Sequence, residues 1–163
     1  MLGACHQRVE RMLALLEKMR AQMRTSGADE NVRQAARDVM RYFDKAAPQH
    51  HRDEELHVFP VLIGMQDEAL VRLVARLQTD HQLMDARWGA ARSLLEEVET
   101  GARSRVNEAD EAVLDAFASL YAEHMRAEED AVFPRARDAI DEERLKAMSA
   151  DMMSRRGVTE QQR

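Results

Sequence analysis

Four stretches of helical periodicity, each with a histidine on its apolar side, constrain the fold of this chain most strongly. In the first stretch His6 falls on the same stripe as Val9 and Leu16. His50, His81 and His124 occupy equivalent positions in the three later stretches. Because residues spaced three, four and seven apart share one face of a helix, each histidine is predicted to point inward. This pattern therefore predicts four amphipathic helices that bring their histidines into one core.

Breaks between these stretches are short and carry recognisable helix-end signals. The segments "TSGADEN" and "GMQDE" interrupt the periodicity, Gly101 is placed to end the third helix, and Asn107 is placed to cap the fourth. Pro48 lies within the second stretch and predicts a kink or a restart there. Long helices with short connections favour an all-α fold, an up-down-up-down antiparallel four-helix bundle with a short extra C-terminal helix.

The length of 163 residues is ordinary for one domain and sufficient for a real core. We expect a single domain over residues 1–155 and a polar C-terminal tail over residues 156–163. The short last helix, with Leu145, Met148 and Met152 on its apolar side, is expected to pack against the bundle.

Charge and cysteine content restrict the function. A net charge of -6 argues against a nucleic-acid surface, and no apolar stretch has the length of a membrane span. The N-terminal segment "MLGACHQRVERM" lacks the apolar core of a signal peptide, which predicts a cytoplasmic protein. Cys5 is the single cysteine, so a multi-cysteine metal site is excluded and any metal must bind to nitrogen and oxygen.

Two motifs follow one template: "HHRDEELHVFP", which covers residues 50–60, and "HMRAEEDAVFP", which covers residues 124–134. Each has a glutamate four residues after its first histidine, giving the pairs His50–Glu54 and His124–Glu128. This spacing places an imidazole and a carboxylate on one helical face about one turn apart. Such a pair can bind one ion or bridge two ions.

Two helical hairpins related by an approximate twofold axis are also predicted, because His6 precedes His50 by nearly the same distance as His81 precedes His124. An antiparallel bundle would bring these four histidines to a similar depth. Four imidazoles and two carboxylates suit a pair of iron or manganese ions better than a structural zinc ion. The alternative is a bundle whose histidines only hydrogen-bond in the core, although burying so many unpaired polar groups is costly.

The order of His6, "HHRDE", His81 and "HMRAE", with "FP" closing both acidic motifs, resembles the hemerythrin-like (HHE cation-binding) family of four-helix-bundle di-iron proteins. The resemblance spans roughly residues 2–136. It implies two iron ions that change between Fe2+ and Fe3+, with an oxo, hydroxo or water bridge. It further implies that His6 and His50 bind one iron, that His81 and His124 bind the other, and that Glu54 and Glu128 bridge them.

One departure from the oxygen-carrying members of this family lies on the third helix. Those proteins have two histidines four residues apart there, whereas this chain has His81 followed by Asp85. Asp85 is a possible additional ligand, with water as the alternative. His51, on the second helix, is another possible ligand, because some relatives use an extra ligand just after the histidine that corresponds to His50. A harder ligand set favours the ferric state, which shifts the prediction from oxygen carriage toward redox chemistry or sensing.

Other side chains near the motifs receive more modest predictions. Glu55 and Glu129 are expected to be exposed or to hydrogen-bond to ligands, and His57 is expected to neighbour the site without binding metal. Tyr121, one turn before His124, is interpreted as a core tyrosine, with hydrogen bonding to the site or electron transfer as alternatives.

The resemblance implies a function in binding or reacting with oxygen, peroxide or nitric oxide. The expected partners are a small diatomic ligand or peroxide and a redox partner, and the oligomeric state is left open. Whether the protein is an enzyme, an oxygen- or peroxide-reducing di-iron oxidoreductase, is also left open. The alternative function is iron binding, iron storage or sensing without turnover.

Overall fold

A computed structural model describes residues 2–157, with only the backbone of Leu2. No strand occurs in that range, and none of its helices is long and apolar enough to cross a membrane. The helices are α1 (Leu2–Thr25), α2 (Glu30–Phe43), α3 (Ala46–Asp53), α4 (Phe59–Gly64), α5 (Glu68–Thr100), α6 (Glu108–Ala127), α7 (Phe133–Ala139) and α8 (Glu142–Arg155). Two π-helical segments interrupt them: the first π segment, Glu54–Val58, and the second π segment, Glu128–Val132.

These elements form the predicted all-α bundle. Its four columns are α1; α2 to α4 with the first π segment; α5; and α6 and α7 with the second π segment. α1 packs on α2, α2 packs on α5, and α5 packs on α6. Short connections between packed neighbours make successive columns antiparallel.

The ends of the helices follow the predicted signals. Asn107 accepts a hydrogen bond from the backbone N–H of Asp110, whose side chain accepts one from the Asn107 N–H, which completes a capping box. Gly101 ends α5 with a φ of 81°, a left-handed conformation that costs glycine little.

The helix of the second column stops and restarts near Pro48, which is one of the two predicted outcomes, a kink or a restart. α2 ends at Phe43 and α3 begins at Ala46, so the proline lies in the first turn of α3. A missing N–H costs little there, because the first N–H groups of a helix have no partner within it.

A π segment precedes each "FP" dipeptide, and this feature was not predicted. The N–H of Phe59 donates to the carbonyl of Glu54, and the N–H of Phe133 donates to the carbonyl of Glu128. Pro60 and Pro134 follow immediately; proline has no N–H to donate and its ring crowds the carbonyl four residues earlier. A locally wider helix relieves that conflict, and such widenings are frequent at functional sites.

Two apolar clusters fill the bundle, and the predicted site lies between them. Along the second column Ala47 belongs to the first cluster and Val58 to the second, with His50 and Glu54 between them. Along the antiparallel α5 the order is reversed: Leu77 belongs to the second cluster and Met84 to the first, with His81 between them. The polar groups therefore form a layer inside the core, shielded from water on both sides.

The short last helix packs as a fifth helix, with one difference from the prediction. Met148 and Met152 are buried in the second cluster, but Leu145 is 54% exposed. The end of the helix is fixed by charge, because Asp53, only 1% exposed, pairs with Arg155 at 2.8 Å and with Arg156. Beyond Gly157, the predicted polar tail lies outside the described residues.

Candidate metal centre

The six predicted ligands come together in the buried layer. They form two groups of four, and in each group the potential ligand atoms all lie within 4.8 Å of one another. Glu54 and Glu128, both 0% exposed, belong to both groups. The first group is completed by His6 and His50, and the second by His81 and His124.

Each carboxylate faces one histidine of each group. The two oxygens of Glu128 lie 3.1 Å from Nε2 of His6 and 3.1 Å from Nε2 of His124. The two oxygens of Glu54 lie 3.3 Å from Nε2 of His50 and 3.6 Å from Nε2 of His81. This arrangement gives each glutamate the geometry of a bridge between two ion positions.

Several of these atoms lack hydrogen bonds within residues 2–157. All four carboxylate oxygens of Glu54 and Glu128 are buried without a hydrogen-bond partner, and so is Nε2 of His6. Buried unpaired carboxylates are costly, and a positive ion between the nitrogens and oxygens would offset that cost. The donor set therefore fits metal cations.

Proton binding by the two carboxylates is unequal. Burial raises the pKa of Glu54 well above its usual value, and the neighbouring Glu128 carboxylate adds to the effect. Burial also opposes ionisation of Glu128, but the imidazoles of His124 and His6, each 3.1 Å from one of its oxygens, outweigh that effect and lower the pKa of Glu128. Without metal, this pair of carboxylates favours one charge over two.

Burial also sets the protonation of the histidines. It lowers the pKa of His50 to about 3 and lowers the pKa of His81, which keeps both imidazoles neutral at neutral pH, so that each has one unprotonated nitrogen that can bind metal. Burial opposes the charge on His6 too, but the adjacent carboxylates of Glu128 and Glu129 raise the pKa of His6.

Acidic side chains orient three of the four histidines from outside. Nδ1 of His6 lies 2.9 Å from Glu129, and Nδ1 of His81 lies 2.8 Å from Glu55. These contacts confirm the predicted hydrogen-bonding role of Glu55 and Glu129. A carboxylate on Nδ1 holds the proton there and directs Nε2 toward a metal.

Asp80 orients His124 of the second group in a similar way, and this contact was not predicted from the sequence. Its carboxylate lies 3.4 Å from Nδ1 of His124. Asp80 immediately precedes His81 on α5, but contact with a histidine on another helix depends on how α5 and α6 pack. The sequence therefore carried no clear signal for this contact.

The two possible additional ligands lie outside both groups. His51 is buried and stacks on His81, with ring centroids 4.1 Å apart, but it is not a member of either group. Asp85 is exposed, because the inward position one turn after His81 is occupied by the buried Met84. The structure does not bring Asp85 to the metal position.

Two further predicted neighbours make contacts of their own. Nε2 of His57 lies 2.7 Å from Asp151 of α8, so this histidine joins α8 to the first π segment. The Tyr121 ring packs 5.4 Å from Phe117 in the first apolar cluster and lies 6.3 Å from His51. Tyr121 makes no hydrogen bond to the described site residues, consistent with a core tyrosine.

Together, the fold and the buried cluster define a helical-bundle protein with a histidine- and carboxylate-lined site for metal cations. The chain belongs to the hemerythrin HHE cation-binding domain family, whose model matches residues 1–151. An uncharacterized protein of Haemophilus influenzae is 29% identical over 160 residues, which cover 98% of this chain and 90% of that relative.

Proton release should accompany metal binding. Because the pKa values of Glu54 and His6 are raised, the metal-free protein retains protons that a cation must displace. Affinity should therefore rise from about pH 5 to about pH 8, roughly tenfold per pH unit for each displaced proton. Calorimetric titration in buffers of different protonation enthalpy measures this release. Glu54→Gln should release one proton fewer, and equal release by both proteins would contradict the assignment.

Proposed function

We propose that this protein is a non-haem di-iron protein that binds or reacts with oxygen, or with a related small molecule such as peroxide or nitric oxide. The observation that carries this proposal is the sharing of Glu54 and Glu128 by both ligand groups. Two ions at the two groups would each receive two imidazoles and an oxygen from each carboxylate.

The ligand chemistry favours iron. Imidazole and carboxylate together suit iron, and sites with two histidines and a carboxylate that leave positions open are typical of oxygen-reactive ferrous iron. Iron bound here would supply one-electron redox chemistry and a position for a small molecule. The chain itself supplies four imidazoles, a shared pair of carboxylates and a water-poor layer of the core.

The ligands of the second group, which contains His81 and His124, determine whether the site favours oxygen carriage or redox turnover. With Asp85 exposed, that group offers two imidazoles, from His81 and His124, and no further nitrogen ligand among its members. Fewer neutral nitrogen donors leave a more anionic or aqueous environment, which favours the ferric state. We therefore favour redox chemistry or sensing over reversible carriage.

An anaerobic preparation tests the proposal. The ferrous protein is exposed to oxygen or peroxide while its visible spectrum is followed, with Glu128→Gln as the matched control. The expected result is conversion to a ferric spectrum that the control lacks. A reversible adduct would instead support oxygen carriage. Iron that stays bound but unreactive would support storage or structural binding, and tightly held zinc with little iron would contradict the di-iron assignment.

A further inference from the structure

A cavity of about 660 Å³ lies beside the candidate metal centre, between α1, the two π segments, α7 and α8. Its size is within the usual range for small-molecule sites, which are typically apolar with a few polar groups. Most of the wall is apolar and comes from Val58, Phe133, Ile140, Leu145, Met148 and Met152. The exposed fraction of Leu145 is explained by its place on this wall.

The inner wall of the cavity contacts a predicted metal ligand. The Phe133 ring lies 5.1 Å from the ring of His6, and Glu129 bonds to Nδ1 of His6 while remaining 53% exposed. A molecule in the cavity would therefore lie against the outer side of His6 and its carboxylate partner.

Arg137 supplies the cation of the cavity wall. It is exposed and makes no ion pair within the part of the chain that the structure describes. Arg135, two residues earlier, lies 3.8 Å from Asp67 and does not line the cavity. Ser149 adds a hydroxyl to the wall, and Glu129 is already engaged with His6. A carboxylate is thus the charge that complements the free guanidinium.

We propose that this cavity binds a free fatty acid, with its chain against the methionine and leucine side chains and its carboxylate on Arg137. The apolar wall accounts for the chain, because burial of methylene groups drives such binding. The guanidinium and the Ser149 hydroxyl account for the acid group. A role for the fatty acid as substrate or effector of the metal centre rests on the proposed function, whereas binding itself does not.

Displacement of a fluorescent fatty acid, cis-parinaric acid, by laurate tests the proposal in the full-length, metal-free chain. We expect saturable binding of one molecule per chain. Lauryl alcohol, which has the same chain without the charge, should bind about tenfold more weakly. Absence of saturable binding, or equal affinity for the acid and the alcohol, would overturn the proposal.

Two pairs of variants localise the binding. Arg137→Gln should weaken laurate binding about tenfold, whereas Arg135→Gln should leave it unchanged. Gly3 lines the cavity and Gly89 does not, and a Cβ at either meets no atom within 4 Å. Gly3→Leu should therefore occupy the cavity and weaken binding, while Gly89→Leu should not.

Equal effects within either pair would place the fatty acid elsewhere and overturn the proposal. A negative result here would leave iron binding and oxygen reactivity untouched, because those are measured on the loaded protein without lipid. Conversely, loss of the di-iron assignment would leave the binding measurement valid.

Discussion

Glu128→Gln is expected to lower the affinity for metal by at least about a hundredfold, more than the loss of a group that merely orients a ligand. Both oxygens of Glu128 face histidine nitrogens at 3.1 Å, one in each ligand group. A glutamine of the same shape retains one carbonyl oxygen but loses the negative charge, so both ion positions are weakened at once. Metal content after dialysis, measured by plasma mass spectrometry, gives the result.

Two neighbours in the chain provide matched controls. Glu129→Gln should weaken binding by about ten- to a hundredfold, because Glu129 touches only His6 of the ligand set. Asp130→Asn should have no measurable effect, since Asp130 is exposed and makes no ion pair within the described range. A larger effect from Glu129→Gln than from Glu128→Gln would show that the assumed register is wrong by one residue.

Glu54→Gln is expected to make the metal-free protein more stable, by about 1–3 kcal/mol in the free energy of unfolding at pH 8. Glu54 is completely buried and faces Glu128, and burial raises the pKa of Glu54 well above its usual value. The unfolded chain therefore ionises this carboxyl more easily than the folded chain does. The same substitution should weaken metal binding, so stability and function oppose each other at this position.

The direction of this change in stability follows from the pH at which Glu54 ionises in each state. Below the unfolded pKa of Glu54 the carboxyl is neutral in both states, and glutamine offers little advantage. As pH rises from the unfolded pKa to the folded pKa, the native protein loses stability that the glutamine variant retains, and above the folded pKa the difference stays constant.

Urea denaturation of chelator-treated protein at pH 4 and pH 8 measures the difference. Glu55→Gln is the matched control, because Glu55 is partly exposed and hydrogen-bonds only to His81. A metal-free Glu54→Gln protein less stable than the unaltered protein at pH 8 would contradict the account.

Local periodicity was sufficient to predict the helices and the inward histidines. Helical spacing fixes which face a residue occupies, so His50 and Glu54, or His124 and Glu128, had to point the same way. The duplicated motif then predicted that two such faces meet, and the structure brings all six side chains together.

Features that depend on packing between helices could be predicted less well from the sequence. The four-residue spacing from His81 made Asp85 a candidate, but α5 turns Met84 inward instead. The π segments had a local signal in the two "FP" dipeptides, which was seen only as part of the motif. The contact of Asp80 with His124 and the cavity beside α8 depend on long-range packing and had no such signal.

The number of metal ions bound per chain tests the central claim most directly, because the two ligand groups share Glu54 and Glu128. Metal-free protein is titrated anaerobically with ferrous iron, freed of excess by gel filtration, and analysed for metal and protein. The account predicts two iron ions per chain, with both sites weakened together in Glu128→Gln. One ion per chain, or a Glu128→Gln protein that retains one site at full affinity, would contradict it.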